Sequence, residues 1–351
     1  MNPDQLVRRA PDALICWPGH KRGQAKSASF LCPPNSRYRG ELMRTPFSEN
    51  TKRLKTDLYP ISLILAGSQV IRNNVQKSSW ELGPLESRLL SWSQMTGEGC
   101  VRTSEVAAAL RMPLSRTYEL LGRMAQSGIV IQLARGLYLL PEKLPPGGRW
   151  QPPIELALWF YLQAKGARWQ ETGLMAFNRY GLSEQAANVA TVYNDKVSGR
   201  RRFGKLEAVF IKVDGSRLGD FADEEIASGI PQRRRIGTLA RVVLDAVYDY
   251  SRFGSLPNAY RWIAARREDA RFCGELVRCA NQYGNVASRR RIGWLLERIG
   301  VAERIWTPLR KSLKKSSAFI PVDPSRPARG ATNSVWGVVE NYDSKQESAH
   351  E

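Results

Sequence analysis

Arg116 stands between two hydroxyl residues in the stretch "SRTYELLGRM", the first place where residue types and spacing suggest chemistry. If this stretch is a helix with Tyr118, Leu121 and Met124 turned inward, then Ser115, Arg116, Thr117, Glu119 and Arg123 face outward. A guanidinium at Arg116 suits a bidentate pair with a guanine edge, and the hydroxyls of Ser115 and Thr117 suit phosphates or bases. Arg135 is expected at the tip of a short hairpin beside Gly136, where it can approach a phosphate or a minor groove. The run Arg200, Arg201, Arg202 in "SGRRRFGK" offers attraction to a polyanion that does not depend on sequence.

Catalytic chemistry has fewer candidates. The two histidines, His20 and His350, lie near the chain ends, which disfavours a histidine-based nucleophilic triad or a histidine metal site. No Walker loop is present, and no glycine fingerprint follows a strand. Asp195, Glu207 and Lys212 are the best set for a carboxylate-metal nuclease. However, Glu207 and Lys212 point to opposite faces of any regular strand that holds both. "ADEE" (Ala222 to Glu225) reads as a loop or helix start. The five cysteines, Cys16, Cys32, Cys100, Cys273 and Cys279, are odd in number and lack a Cys-x-x-Cys pair. That pattern argues against a zinc site or a disulfide framework and suits a reducing cytoplasm. The expectation is a protein that is not an enzyme, with no cofactor and no metal.

Charge points the same way. Of 351 residues, 53 are Lys or Arg against 33 Asp or Glu, a formal +20, and such a surface attracts nucleic acid. The excess is uneven: residues 81–145 carry 7 basic and 6 acidic side chains, a net +1, whereas residues 146–330 carry 32 and 18, a net +14. Most non-specific affinity is therefore expected from the second region, in "GRRRFGK", "QRRR", "AARRED", "SRRRIG" and "LRKSLKK". The apolar run "ISLILAG" is too short to span a bilayer, so a cytoplasmic protein with no membrane partner is expected.

The elements that must position these residues can be read in order. "PLESRLLSWSQM" has helical spacing with Pro84 at its first turn, and Thr103 is the expected cap of a second helix with Val106, Ala107 and Leu110 inward. Pro113 breaks that helix, Ser115 is the expected cap of a third, and Gly128 stops it. "IVIQL" and "LYLLP" then form a hairpin. This is the winged-helix order, although such folds also serve as protein-interaction modules.

"LPPGGRWQPP" predicts a linker. Beyond it, "IELALWFYLQAKG" predicts a helix, "GLMAFNRYGL" a short helix and turn, and "NVATVYND" and "KLEAVFIKV" strands around the basic turn "SGRRRFG". Four helical stripes come after: "TLARVVLDAVYDY", "LPNAYRWIAARR", "ARFCGELVRCANQYG" and "SRRRIGWLLERIG". A closing strand is expected at Val335 to Val339. The expected fold class is α+β: a winged helix-turn-helix over 81–143, a linker over 144–153, and a basic α+β domain with a mainly helical C-terminal part over 154–341. Residues 342–351 are expected to be a frayed tail, and 1–80 a disordered extension unless translation begins further in, for example at Met43.

Taken in order, the first region ending in "ARGLYLLP", the stretch "ELALWFYL…YGLSEQAANVATVYNDKVSGRRRFGKLEAVFIKV", then "TLARVVLDAVYD", "RRRIGWLLERIG" and "VDPSRPARGATNSVWGVVEN" resemble the AbiEi-type antitoxins of bacterial abortive-infection (type IV toxin–antitoxin) systems. The resemblance runs from about Leu85 to Asn341 and leaves out the first 80 residues or so. It implies a phage-defence antitoxin that is also a transcriptional autorepressor, its winged helix binding inverted repeats in double-stranded DNA of its own promoter. It further implies a functional pairing with a nucleotidyltransferase-like toxin, without a stable complex. The helix at Ser115 and the tip at Arg135 match the family's DNA-contacting elements. Arg241, Arg290 and Arg291 lie in matching stretches without an assigned role.

Overall fold

The computed structural model describes residues 81–314 and 317–342; the extension expected over 1–80 and the tail over 343–351 lie outside them. It is a mixed α+β structure. The first elements are helix α1 (Pro84–Thr96), strand β1 (Cys100–Arg102), helices α2 (Thr103–Leu110) and α3 (Leu114–Ser127), and strands β2 (Ile131–Ala134) and β3 (Leu137–Leu139). Pro84 occupies the first turn of α1, where the proline nitrogen has no hydrogen bond to lose, and Gly97 ends the helix at φ 71°. Thr103 is the first residue of α2 rather than its cap; instead, the Glu105 carboxylate accepts the Arg102 N–H at 2.6 Å.

The three strands form an antiparallel sheet in the order β1-β3-β2. Because successive strand residues point to opposite faces, this hairpin serves two cores. Val130, Tyr138 and Leu140 pack with Leu89, Val106, Leu121 and Met124 of the helices. Ile131, Leu133, Leu137 and Leu139 pack instead with the second region, beginning with helix α4 (Ile154–Ala164). The Pro/Gly segment between β3 and α4 has neither helix nor strand, yet Trp150 donates its N–H to Gly128 at 2.8 Å and its ring joins the second core.

A six-stranded sheet comes next, in the order β6-β7-β5-β4-β9-β8. Its strands are β4 (Trp169–Thr172), β5 (Val189–Asn194), β6 (Gly199–Phe203), β7 (Leu206–Lys212), β8 (Phe221–Glu225) and β9 (Arg233–Gly237), with helix α5 (Leu174–Arg179) between β4 and β5. Two edge strands differ from expectation. "SGRRRFG" is not a turn, because Gly199–Phe203 pairs along its length with β7; "ADEE" is strand β8, whose acids stand opposite the arginines of β9. The partners there are Asp223 with Arg235, Glu224 with Arg234 and Glu225 with Arg233, cross-strand pairs of opposite charge.

The remainder is mainly helical: α6 (Leu239–Tyr248), α7 (Tyr250–Phe253), α8 (Leu256–Ala264), α9 (Ala270–Tyr283), α10 (Val286–Arg298) and α11 (Glu303–Lys311). It closes with a small sheet of β10 (Ile320–Pro321), β11 (Ala331–Asn333) and β12 (Val338–Glu340). The four helical stripes are α6, α8, α9 and α10, whereas α11 was not anticipated. Tyr342, placed in a frayed tail by the sequence, is buried with its ring centroid 5.0 Å from that of Tyr260.

The buried carboxylate of Asp245 ties the helices to the sheet. It accepts from Arg241 Nε at 3.0 Å, Arg217 Nη2 at 2.8 Å and the Thr172 hydroxyl at 3.2 Å. Arg241 sends its other two nitrogens to the carbonyls of Gly219 and Arg217, each at 2.8 Å, while Arg217 Nη1 reaches the Tyr283 carbonyl at 2.5 Å. Replacing Asp245 with Asn would leave two buried guanidiniums without a counter-charge. The expected cost is about 3–5 kcal/mol, read as a lowered urea midpoint; a change below ~1 kcal/mol would show that the pair is not structural.

Candidate nucleic-acid interface

Helix α2 ends at Arg111, whose left-handed φ of 52° turns the chain, and Pro113 precedes α3. The inward stripe of α3 is Thr117, Leu120, Leu121 and Met124: Leu121 and Met124 are buried as expected, and Thr117 with Leu120 takes the place expected of Tyr118. Thr117 is therefore a correction. Its side chain is fully buried and its hydroxyl donates to the Pro113 carbonyl at 3.0 Å, so it presents nothing to a ligand. Tyr118 takes the outward place at 44% exposure. Ser115, Arg116, Glu119 and Arg123 are exposed, with Ser115 inside the first turn of α3 rather than capping it. Thr117 can take the inward place because its hydroxyl is satisfied by the Pro113 carbonyl, leaving only its methyl to pack.

At the hairpin tip Arg135 is exposed, and Gly136 has φ 73°, a conformation a side chain would strain. A Cβ on Gly136 would also lie 3.3 Å from the Tyr118 hydroxyl, so α3 and the tip meet through this tyrosine. The Gly136 carbonyl accepts the Thr103 N–H at 3.0 Å, fixing the tip to the start of α2. Sequence reasoning missed Tyr118 because an aromatic ring at helical spacing is ordinarily a core residue.

The basic runs are partly consumed inside the fold. Along β6, Arg200 and Arg202 share a face with Glu207, and Arg200 pairs with it at 3.3 Å. Arg201 lies on the other face, with its guanidinium 5.3 Å from the Tyr161 ring centroid. The three arginines thus do not form one patch, although β6 does run beside the hairpin strand β2. In "QRRR", Arg234 is held between Glu171 and Glu155 (3.4 Å to the latter), and Arg235 pairs with Asp223 at 3.3 Å. In "SRRRIG", Arg290 and Arg291 are buried and donate to the carbonyls of Ala318 and Pro321. Arg267 pairs with Glu268 at 3.0 Å. Among the described residues, Arg202, Lys205, Arg310, Lys311 and Lys314 are exposed cations of these runs without a side-chain partner.

The nuclease candidates do not converge. Asp195 accepts the Arg168 N–H at 3.0 Å, Glu207 faces Arg200, and no group of three or more metal-ligating side chains exists among the described residues. Burial pushes the Cys100 thiol up to about 12 and that of Cys273 to about 11, so neither is a ready nucleophile. No helix among the described residues is long and apolar enough to cross a membrane.

Residues 87–141 match the family model described as "Transcriptional regulator, AbiEi antitoxin", so the resemblance to AbiEi-type antitoxins holds over the segment that contains α3 and the hairpin. No curated protein matches. Among solved structures the chain is similar to the crystal structure of the RV2827C protein from Mycobacterium tuberculosis, with 13% identity and a TM-score of 0.47, over 74% of this chain and 92% of that one.

Glu171 provides a pH test of the sheet that carries β6. Its burial raises the carboxyl from 4.5 to about 7, against the opposing pull of Arg234. The folded chain then holds this proton more tightly than the unfolded chain does, so its contribution to stability falls as pH rises from about 4.5 to about 7 and changes little above. Between about pH 5 and pH 8 the wild type should lose roughly 2–3 kcal/mol more stability than Glu171→Gln. Parallel urea titrations would refute the assignment if both proteins showed the same pH dependence.

Proposed function

We propose that the chain is a DNA-binding antitoxin and transcriptional autorepressor whose first region is a winged helix reading inverted repeats upstream of its own operon. One observation carries this reading. The exposed Ser115–Arg116 face of α3, joined through Tyr118 to a hairpin tip bearing Arg135, lies in the segment that matches a regulator family. In this reading Arg116 contacts base edges, while Ser115, Arg123 and Arg135 hold phosphates or a groove. The reading region is close to neutral, so backbone affinity falls to the second region. There Arg202 and Lys205 are exposed without side-chain partners, and Arg200 and Arg201 contribute less because Glu207 and Tyr161 engage them. The functional partner is a nucleotidyltransferase-like toxin, countered without a stable complex.

The test is a footprint of the full chain on the DNA upstream of its gene at about 150 mM salt, where weak surface attraction is screened. Two protected inverted half-sites are expected. Arg116→Ala should cost about 1–3 kcal/mol on that site and flatten its sequence preference. Changing Arg202 and Lys205 to Ala should instead weaken all DNA alike and reduce the salt slope by roughly 2. Thr117→Val should alter neither. Smeared protection that vanishes as salt rises, or site preference untouched by Arg116→Ala, would refute the reading.

A further inference from the structure

We propose that the pocket enclosed by α10, α11 and the β11–β12 turn is a phosphate-binding site, with Arg290 as its fixed fork. The pocket has a volume of about 450 Å³, and four cations line it: Arg290, Arg310, Lys311 and Lys314. The single acid in its wall is Glu303, leaving a net charge of +3 around one concavity.

Arg290 distinguishes this place from an ordinary basic surface. It is only 6% exposed, and its Nη1 is held by the Ala318 carbonyl at 2.9 Å and the Gly337 carbonyl at 3.4 Å. Gly337, at φ 65°, lies against the guanidinium; a Cβ there would stand 3.1 Å from Cζ. The group is thereby immobilised. Its Nε and Nη2 make no hydrogen bond among the described residues, yet they are not among the nitrogens sealed from solvent. A planar fork with one edge pinned and the other open matches two oxygens of a phosphate, and its entropy of ordering is already spent by the fold. Arg310 and Lys311 occupy the last turn of α11, where the helix C-terminus favours cations with or without a ligand. That accounts for those two. It does not account for the buried open fork, or for Lys314 beyond the helix end facing the same pocket.

The shared chemistry is a phosphate group, supplied either by a small phosphorylated molecule or by a nucleic-acid backbone. The site is independent of the reading of α3. The probe is inorganic pyrophosphate, titrated into the full chain at constant ionic strength while the thermal midpoint is followed. A saturable rise is expected, with the half-saturating concentration weakened at least about tenfold in Lys311→Gln/Lys314→Gln, whose changes lie on the surface. Arg290→Lys keeps the charge but loses the fork, and should weaken binding similarly if it folds. A midpoint that responds equally in wild type and the double variant would be a general salt effect and would overturn the proposal. If the saturable rise is present, DNA binding by the double variant identifies the source. A shallower salt slope assigns the site to backbone phosphate, and unchanged DNA affinity assigns it to a free phosphorylated ligand. A failed footprint with a saturable pyrophosphate response would sink the repressor reading and leave this site standing.

Discussion

A carboxylate held between two guanidiniums, out of contact with water, is the constraint around which the second region is arranged. Asp245 is on α6, Arg241 one turn before it, and Arg217 on the loop after β7. Each charge alone would be costly to bury; together they are tolerable because the leftover donors, Arg217 Nε excepted, find carbonyls. Arg241 uses all three of its nitrogens, and Arg217 reaches across to the last residue of α9. Stacking completes the set, with Arg217 3.6 Å from the Tyr248 ring centroid and Arg241 4.6 Å from that of Tyr283. The result fixes the register of α6 against β4 through Thr172, and the apolar residues of α6, α8, α9 and α10 then pack as one core.

Arginine recurs in this role for a reason of shape. A planar group spreads five donors over three nitrogens and can hold separated carbonyls in fixed directions, whereas lysine offers three donors from a single nitrogen. Arg217, Arg241, Arg290 and Arg291 all hold loops or strand ends to helices this way. Formal charge therefore overstates what the surface offers, but not uniformly. Arg234 is paired with the Glu155 carboxylate and bonded to Glu171, whereas Arg290 and Arg291 bond to neutral carbonyls with no carboxylate against them. Beside α11 the charge of Arg290 adds to the field of the exposed cations, so a structural arginine also shapes the local potential.

The helices were legible because their apolar residues recur at 3.6, as in "TLARVVLDAVYDY" and "ARFCGELVRCANQYG". Strands β6 and β8 were not, for the opposite reason. Both are edge strands with charged residues on both faces, so no alternation marks them, and their pairing is visible only once β7 and β9 lie alongside. Helix α11 was hidden by Pro308, although Ile305, Trp306 and Leu309 make an inward stripe around it. In α3 the apolar spacing marks the element and the inward places of Leu121 and Met124, but Thr117 and Tyr118 are adjacent, and only packing decides which of them is buried. No local pattern could reveal the open fork of Arg290, which depends on Gly337 arriving from 47 residues further on.

The hairpin decides how far the first region can be treated as a separate module. Two sets of side chains leave it in opposite directions: Tyr138 and Leu140 into the helices α1 to α3, Ile131 and Leu137 into the core with α4. With β1 it makes a sheet of only three short strands, covered by one core on each face. Its tip in turn supports the outward face of α3 through Gly136 and Tyr118. The position of the exposed arginines of α3 thus depends on packing in the second region as well as the first. That shared strand pair makes the short Pro/Gly segment a packed joint, with Trp150 pinned to Gly128, instead of a free tether.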